Sequence, residues 1–245
     1  MGFMANLKGQ QALTLQSKGR NDEARAKYEE AIKAGMNQPR LLLAYSVLLI
    51  RAGEYEKARD LLVKTQKAPG ITADQKSQLF MNYAVCAYKL GDAEKGLALL
   101  EKQHLHQPSG MIYQTLGYLY VEKYLPEKKP AEDDGSWEMG VKQALKFLQE
   151  SVDYDEDDSI CLDNIGQFYY RVLGDKATAK TWFDKAHEAK ENQIDTLWFL
   201  SRYNVEEGNI PAALEKLELA SEGRFSPLNY VTKDVVDAEI ARLKA

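Results

Sequence analysis

Cysteine, histidine, long apolar runs and excess positive charge are all scarce in this chain, and each shortage removes a class of function. The two cysteines of the 245 residues, Cys86 and Cys161, lie 75 positions apart within helical patterns. Stacked units between them would hold their Cα atoms well beyond the roughly 7 Å that a disulfide spans. They read as reduced packing residues, which suits a cytoplasmic location. His104 and His106 point to different faces of a helix. With His187 the only other histidine and no Cys or acidic cluster to complete a ligand set, no metal is expected. No apolar run approaches the ~18 residues needed to cross a bilayer. The opening Met1–Leu7 is too short for the apolar part of a signal peptide. Asn6 stands where a myristoylation signal needs Ser or Thr. Lys and Arg number 32 against 37 Asp and Glu, for a net charge of −5. That is the reverse of a nucleic-acid footprint, so no nucleic-acid partner is expected. Phosphate cradles, nucleophile elbows and zinc-protease motifs are also missing, so the chain reads as non-catalytic with no cofactor.

What is present is a repeat. A small residue followed four positions later by a bulky one recurs at Ala24/Tyr28, Ala58/Leu62, Gly96/Leu100, Ala144/Leu148, Ala179/Phe183 and Ala213/Leu217. The successive spacings are 34, 38, 48, 35 and 34, so two gaps carry insertions on one underlying period. A unit of that size cannot bury its apolar face alone and must stack on its neighbours. Within a unit, apolar residues at helical spacing lie on either side of a turn, as Leu42, Tyr45 and Leu49 then Ala58, Leu61 and Leu62 do around Ala52-Gly53. Glycine marks this turn at Gly19, Gly53, Gly91, Gly174 and Gly208, where a residue past a helix end takes positive φ. Each unit is therefore expected to be two antiparallel helices.

The pattern resembles the tetratricopeptide repeat family. Tyr113, Leu116, Gly117 and Tyr120 followed by Ala144 and Leu148 match its stations in the fourth unit. Leu162, Ile165, Gly166, Tyr169, Ala179, Phe183 and Ala186 match in the fifth, and Pro108 and Pro39 fall near unit ends. Only the fourth unit carries Leu-Gly itself, and aliphatics often replace the family's aromatics. The resemblance covers residues 5–225 and implies an all-α, right-handed solenoid forming a single domain over 1–245. Its hairpins span 5–38, 39–76, 77–109, 110–158 (with an inserted loop, 126–138), 159–193 and 194–225. A capping helix follows over 232–244. Ala12, Ala84, Gly117 and Gly166 are the small residues that let the two helices of a pair approach.

The irregular stretches have structural readings. Pro126–Trp137, with two prolines and dense charge, is a surface loop, and Trp137 is expected to fold back and anchor the helix that follows. The acidic run Asp153–Asp158 lacks the glycine and the final glutamate of a calcium loop, so Asp158 or Ser159 is read as a helix cap. Thr232 is the cap candidate for the last helix, whose inward set is Val235, Val236, Ile240 and Leu243. At the other end Phe3, Met4 and Leu7 form an apolar edge that a second copy or a preceding segment would cover.

The resemblance also implies a concave groove lined by the first helix of each pair. Carried over position by position, it consists of Val47, Arg51, Asn82, Val85, Tyr88, Lys89, Gln114, Tyr118, Asn164, Gln167, Tyr170, Arg171, Trp198 and Arg202. Asn82 and Asn164 stand where relatives often bond a ligand's backbone. Met111 and Thr115 fall where a carboxylate clamp would need basic residues, so a clamp is not expected. Tyr, Trp and Arg are the residue types that dominate interface energetics. The expected function is that of a protein–protein interaction scaffold binding a partner peptide or helix in this groove. Alternatives are a self-associating assembly or membrane-tethered module, and a peptide-sensing regulator.

Overall fold

The computed structural model of the protein describes residues 2–245, and all regular structure among them is helical. Thirteen α-helices follow one another: α1 (Gly2–Ser17), α2 (Asn21–Lys33), α3 (Pro39–Arg51), α4 (Tyr55–Thr65), α5 (Ala73–Lys89), α6 (Ala93–His106), α7 (Gly110–Lys123), α8 (Ser136–Tyr154), α9 (Ser159–Gln167), α10 (Lys176–Ala189), α11 (Ile194–Glu206), α12 (Ile210–Ser221) and α13 (Lys233–Lys244). A single 3₁₀ turn covers Pro126–Lys128, and α9 runs on into a π-helical turn, Phe168–Val172. None of these helices is long and apolar enough to cross a membrane. The expected pairing holds from α1 with α2 through α11 with α12. The chain forms two compact units, one ending at Gln107 and the other beginning at Pro108.

The turn glycines do what their position requires. Gly53 has φ of 75°, its N–H meets the Ile50 carbonyl at 3.0 Å, and Glu54 N–H reaches back to Leu49 at 2.9 Å. This left-handed closure satisfies the last carbonyls of α3 and reverses the chain into α4. Gly19, Gly91, Gly174 and Gly208 also have positive φ.

At two places in the second unit close packing of helices rests on missing side chains. A Cβ on Gly117 would lie 2.8 Å from Asn164 Nδ2 and 3.1 Å from Leu148 Cδ2. One on Gly166 would lie 2.8 Å from Phe183 Cε1. In the first unit the buried Tyr28 ring stacks on Tyr45 at 4.8 Å, and its hydroxyl donates to Gln16 Oε1 at 2.9 Å. In the second unit Phe183 and Phe199 stack at 4.8 Å with their planes 6° apart. Both cysteines are buried thiols, pushed up to about 12 by desolvation and therefore unreactive.

The irregular stretches follow the sequence reading, with one change. Trp137 packs edge-on against Tyr124 at 5.2 Å, and its N–H donates to Asp133 Oδ1, fixing the start of α8. Lys129 pairs with Glu138 across the inserted loop. Asp158 caps α9 by accepting from Ile160 and Cys161 N–H at 2.9 and 3.1 Å. Thr232 caps α13 through Val235 N–H. The inward face of α13 is narrower than expected. Val236 is buried and Ile240 and Leu243 pack on the core, but Val235 points to solvent. Positions 236, 240 and 243 share one helical stripe, and residue 235 is turned about 100° from it.

Candidate functional site

The candidate surface is built from the first helix of each pair and falls into a set in each compact unit. In the first unit, Val47 is half-buried and Arg51 is exposed at the end of α3. On α5, Val85 is buried, while Tyr88 and Lys89 are half-buried, with the Lys89 ammonium 5.5 Å from the Tyr88 ring centroid. Asn82 Nδ2 donates to Ser46 Oγ at 3.3 Å, and the Ser46 hydroxyl in turn donates to Leu43 O. The amide of Asn82 thus joins α5 to α3.

In the second unit the polar residues of successive helices are wired together. Gln114 Nε2 donates to the capping carboxylate of Asp158 at 2.7 Å. Asn164 Nδ2 donates to the Gln114 main-chain carbonyl at 2.9 Å. Gln167 Nε2 donates to Asp163 Oδ2 at 2.7 Å, and Thr196 Oγ1 donates to Asp163 Oδ1 at 2.7 Å. Val85, Tyr118, Asn164 and Gln167, expected on an open face, lie in the interior instead. Within the second unit, the close approach at Gly117 brings Asn164 of the next pair onto α7.

Four residues of the expected set gather more openly in the second unit. Tyr170 and Arg171 lie in the π-helical turn, whose Leu173 N–H reaches back five residues to Phe168 O. Arg171 forms an ion pair with Glu122 at 2.7 Å, donates to Gln167 Oε1 at 3.0 Å, and places its guanidinium 4.2 Å from the Tyr230 ring centroid. Tyr170 packs against Phe199 at 5.1 Å and edge-on to Tyr203 at 5.9 Å. The Arg202 guanidinium lies 4.3 Å from the Trp198 centroid and donates to Glu239 of α13 at 2.5 Å. Arg242 first, and then Arg202, hold the Glu239 carboxyl down at about 2 against the opposing effect of burial. The face of α11 is thus partly covered by α13, and Trp198, Ile240 and Leu243 all pack against one buried cluster around Leu197 and Val236.

Sequence reasoning passed over two carboxylates at the centre of this arrangement. Asp163 and Asp195 are both buried. Burial pushes both carboxyls up, and for Asp163 the charge of Asp195 adds to the effect. Asp195 accepts from Asn229 Nδ2 at 3.0 Å, Tyr230 N–H at 3.0 Å and Val231 N–H at 3.4 Å. These partners, like Thr196 on Asp163, lie more than thirty residues away in sequence, and only Gln167 on Asp163 is local.

Comparison with known proteins agrees with this architecture. Residues 15–69 match the model of the tetratricopeptide repeat family. No curated protein matches the chain. Among solved structures, a thermophilic TPR protein of Thermus thermophilus is similar with a TM-score of 0.66 at 19% identity, over 84% of this chain and 99% of its own. PilW, a widely conserved type IV pilus biogenesis factor, is similar over the whole of both chains with a TM-score of 0.64 at 15% identity. MamA of Desulfovibrio magneticus RS-1 has a TM-score of 0.56 at 20% identity, over 79% of this chain and 98% of its own. At such identities the likeness is one of fold. The paired helices, the small-residue contacts and these likenesses converge: residues 15–69 carry the sequence pattern of the tetratricopeptide repeat family, and the chain has the all-helical fold of tetratricopeptide-repeat solenoids.

Proposed function

We propose that the protein is a non-catalytic interaction scaffold that holds a peptide or helix of a partner protein against the first helices of its repeats. One observation carries this reading. Aromatic rings beside cationic side chains recur on those helices, as Tyr88 with Lys89 and Trp198 with Arg202, each only partly buried. Such pairs combine a large apolar area with directed charge, the combination that dominates interface energetics. The tetratricopeptide fold is generally a protein-binding one, which supports the same reading. The net charge of −5 favours protein partners over nucleic acid, and the two buried thiols suit a cytoplasmic location.

The test reverses charge on the first unit's face, where Arg51 is exposed and Lys89 half-buried. Affinity capture from host lysate by wild type is compared with capture by Arg51→Glu/Lys89→Glu, with circular dichroism confirming an unchanged fold. Loss of the same partner from the variant is expected. Equal capture by both proteins would refute binding through this face.

The alternative assembly role has an observation of its own. Phe3 is 79% exposed on α1, close to exposed Met4 and Leu7. If this edge mediates self-association, the solution mass rises with protein concentration and Phe3→Asp abolishes the rise. A mass independent of concentration for wild type would dismiss that role.

A further inference from the structure

The last repeat already holds a piece of polypeptide. Between α12 and α13, Ser226–Asn229 form a tight turn in which Asn229 N–H bonds Ser226 O at 3.0 Å and Asn229 Oδ1 accepts from Ser226 N–H at 2.7 Å. The turn leads into Tyr230 and Val231, whose consecutive backbone N–H groups both point at Asp195 Oδ1. Asn229 Nδ2 donates to the other oxygen of the same carboxylate. The Tyr230 ring stacks on Phe199 at 5.0 Å with planes 25° apart, and the Arg171 guanidinium lies 4.2 Å from its centroid. These are the contacts of a receptor with a ligand: a carboxylate for main-chain donors and an aromatic and a cation for a ring.

The walls of this receptor stand without their occupant. Arg171 is anchored by Glu122 and Gln167, neither of which belongs to the 226–231 segment. Phe199 is held by its stack on Phe183 and by Tyr170. The α11 backbone around Asp195 is tied to α9 through Thr196 and Asp163. Tyr230, in contrast, is 42% exposed while Phe199 beneath it is 2% exposed. A rigid pocket around a loosely covered ring in a non-helical segment is suited to exchange of that segment.

We propose that the surface framed by Arg171, Asp195 and Phe199 is a binding site for an aromatic residue carried on a polypeptide turn, that Asn229–Tyr230–Val231 is its tethered occupant, and that a partner segment with a side-chain amide followed by an aromatic residue displaces it. This deepens the partner-binding reading above and rests on it. The protein would then be self-occluded at its last repeats, and a partner would meet a site whose apparent affinity is lowered by the fraction of time it is closed.

The experiment uses the full chain and a fluorescein-labelled peptide with the chain's own sequence from Arg224 to Lys233. Wild type is compared with Asn229→Gly/Tyr230→Gly, which removes the occupant's ring and side-chain amide, vacating the aromatic part of the site, and leaves its walls intact. We expect the vacated variant to bind the peptide at least about tenfold more tightly than wild type, the ratio reporting the closure equilibrium. Adding Arg171→Ala to the vacated variant, or replacing the peptide's tyrosine by alanine, should abolish the gain. A vacated variant with unchanged circular dichroism that binds no better than wild type would overturn the proposal, as would binding indifferent to the peptide's tyrosine. Should the double variant fail to fold, hydrogen exchange in wild type decides. The Tyr230 and Val231 amides should open far more often than those of α11, and equal protection would sink the idea. Partner capture through Arg51 and Lys89 without any peptide binding would defeat this inference and leave the general reading standing. Peptide binding without partner capture would do the reverse.

Discussion

The contact between Gly166 and Phe183 gives the sharpest test of how a repeat is held together. Gly166 lies in α9, where alanine is intrinsically the better helix former by about 1 kcal/mol. A methyl there would nevertheless sit 2.8 Å from Phe183 Cε1 and 2.9 Å from Cδ1. The ring has nowhere to go, because it is fully buried and stacked on Phe199. Overpacking of this kind costs about 1–3 kcal/mol, so Gly166→Ala should destabilise by about 0–2 kcal/mol net of the helix gain. Phe183→Ala alone should cost about 3–5 kcal/mol through lost burial and a cavity. In the double variant the methyl enters space the ring has vacated, so the overpacking vanishes and the helix gain is recovered. The double variant should then cost about 2–4 kcal/mol, which is about 1–3 kcal/mol less than the sum of the single changes.

Urea unfolding followed by tryptophan fluorescence measures this cycle. Trp137, Trp182 and Trp198 all belong to the unit that begins at Pro108, so the signal reports the half of the chain under test. The gentler Phe183→Leu provides a second cycle of the same sign if the alanine variant is too unstable. Additivity within about 0.5 kcal/mol would refute the reasoning, because residues that compete for one space must couple. So would a Gly166→Ala variant stabilised by the full ~1 kcal/mol of helix propensity, since the ring would then have yielded freely.

Three further outcomes follow from the same structure. Burial, with the charge of Asp195 beside it, pushes the Asp163 carboxyl up in the folded chain, against ~3.9 when unfolded. Above the unfolded value the folded state therefore binds more protons, so this group's stabilisation is fully present at the acid end and is lost as pH rises through the raised titration of the buried pair; Asp163→Asn should flatten that fall, and a variant whose stability keeps the full wild-type pH dependence would refute the assignment. Asp158→Ala removes the α9 cap and the acceptor of Gln114, and should cost about 1–3 kcal/mol by thermal unfolding, with Asp158→Asn costing under about 1 kcal/mol. Gly53→Ala meets no atom within 4 Å yet requires φ of 75°; it should still cost about 1 kcal/mol, with Gly53→Asn milder, whereas a neutral alanine would mean that the turn relaxes.

Features encoded within one repeat were legible in the sequence. The helix pairs follow from apolar spacing, the turns from glycines that the backbone holds at positive φ, and the caps at Asp158 and Thr232 from short polar residues preceding a helix. The anchoring of Trp137 was legible for the same reason, since its neighbours Tyr124 and Asp133 lie within the same hairpin. What escaped depends on partners in other repeats. Asp163 and Asp195 look like surface carboxylates until Thr196 and the 226–231 segment are placed against them. The π-helical turn that aims Arg171 has no signature of its own. Val235 looked inward because a short helix with four apolar residues tolerates two assignments of its stripe, and only the packing of α12 and α11 selects one.

The side-chain amides of the first helices show why family-level inference about a groove needs the neighbouring repeat. Asn82 and Asn164 occupy the same place in their units, and both donate their amides to the preceding repeat, one to Ser46 Oγ and the other to the Gln114 carbonyl. Gln114 and Gln167 likewise serve carboxylates of this chain. A buried amide gains by such a bond and is costly to leave unmatched, so these residues fix the register of one hairpin on the next. A ligand that recruited them would have to break that register. The side chains left to meet a partner are those whose charge or ring still reaches solvent: Arg51, Tyr88 and Lys89 in the first unit, and Tyr170, Arg171, Trp198 and Arg202 in the second. Of the second set, Arg171 and Arg202 already engage the chain's own C-terminal segment, through Tyr230 and Glu239. The first unit therefore offers the more accessible surface, and the second offers one whose preferred ligand chemistry is written in the segment that occupies it.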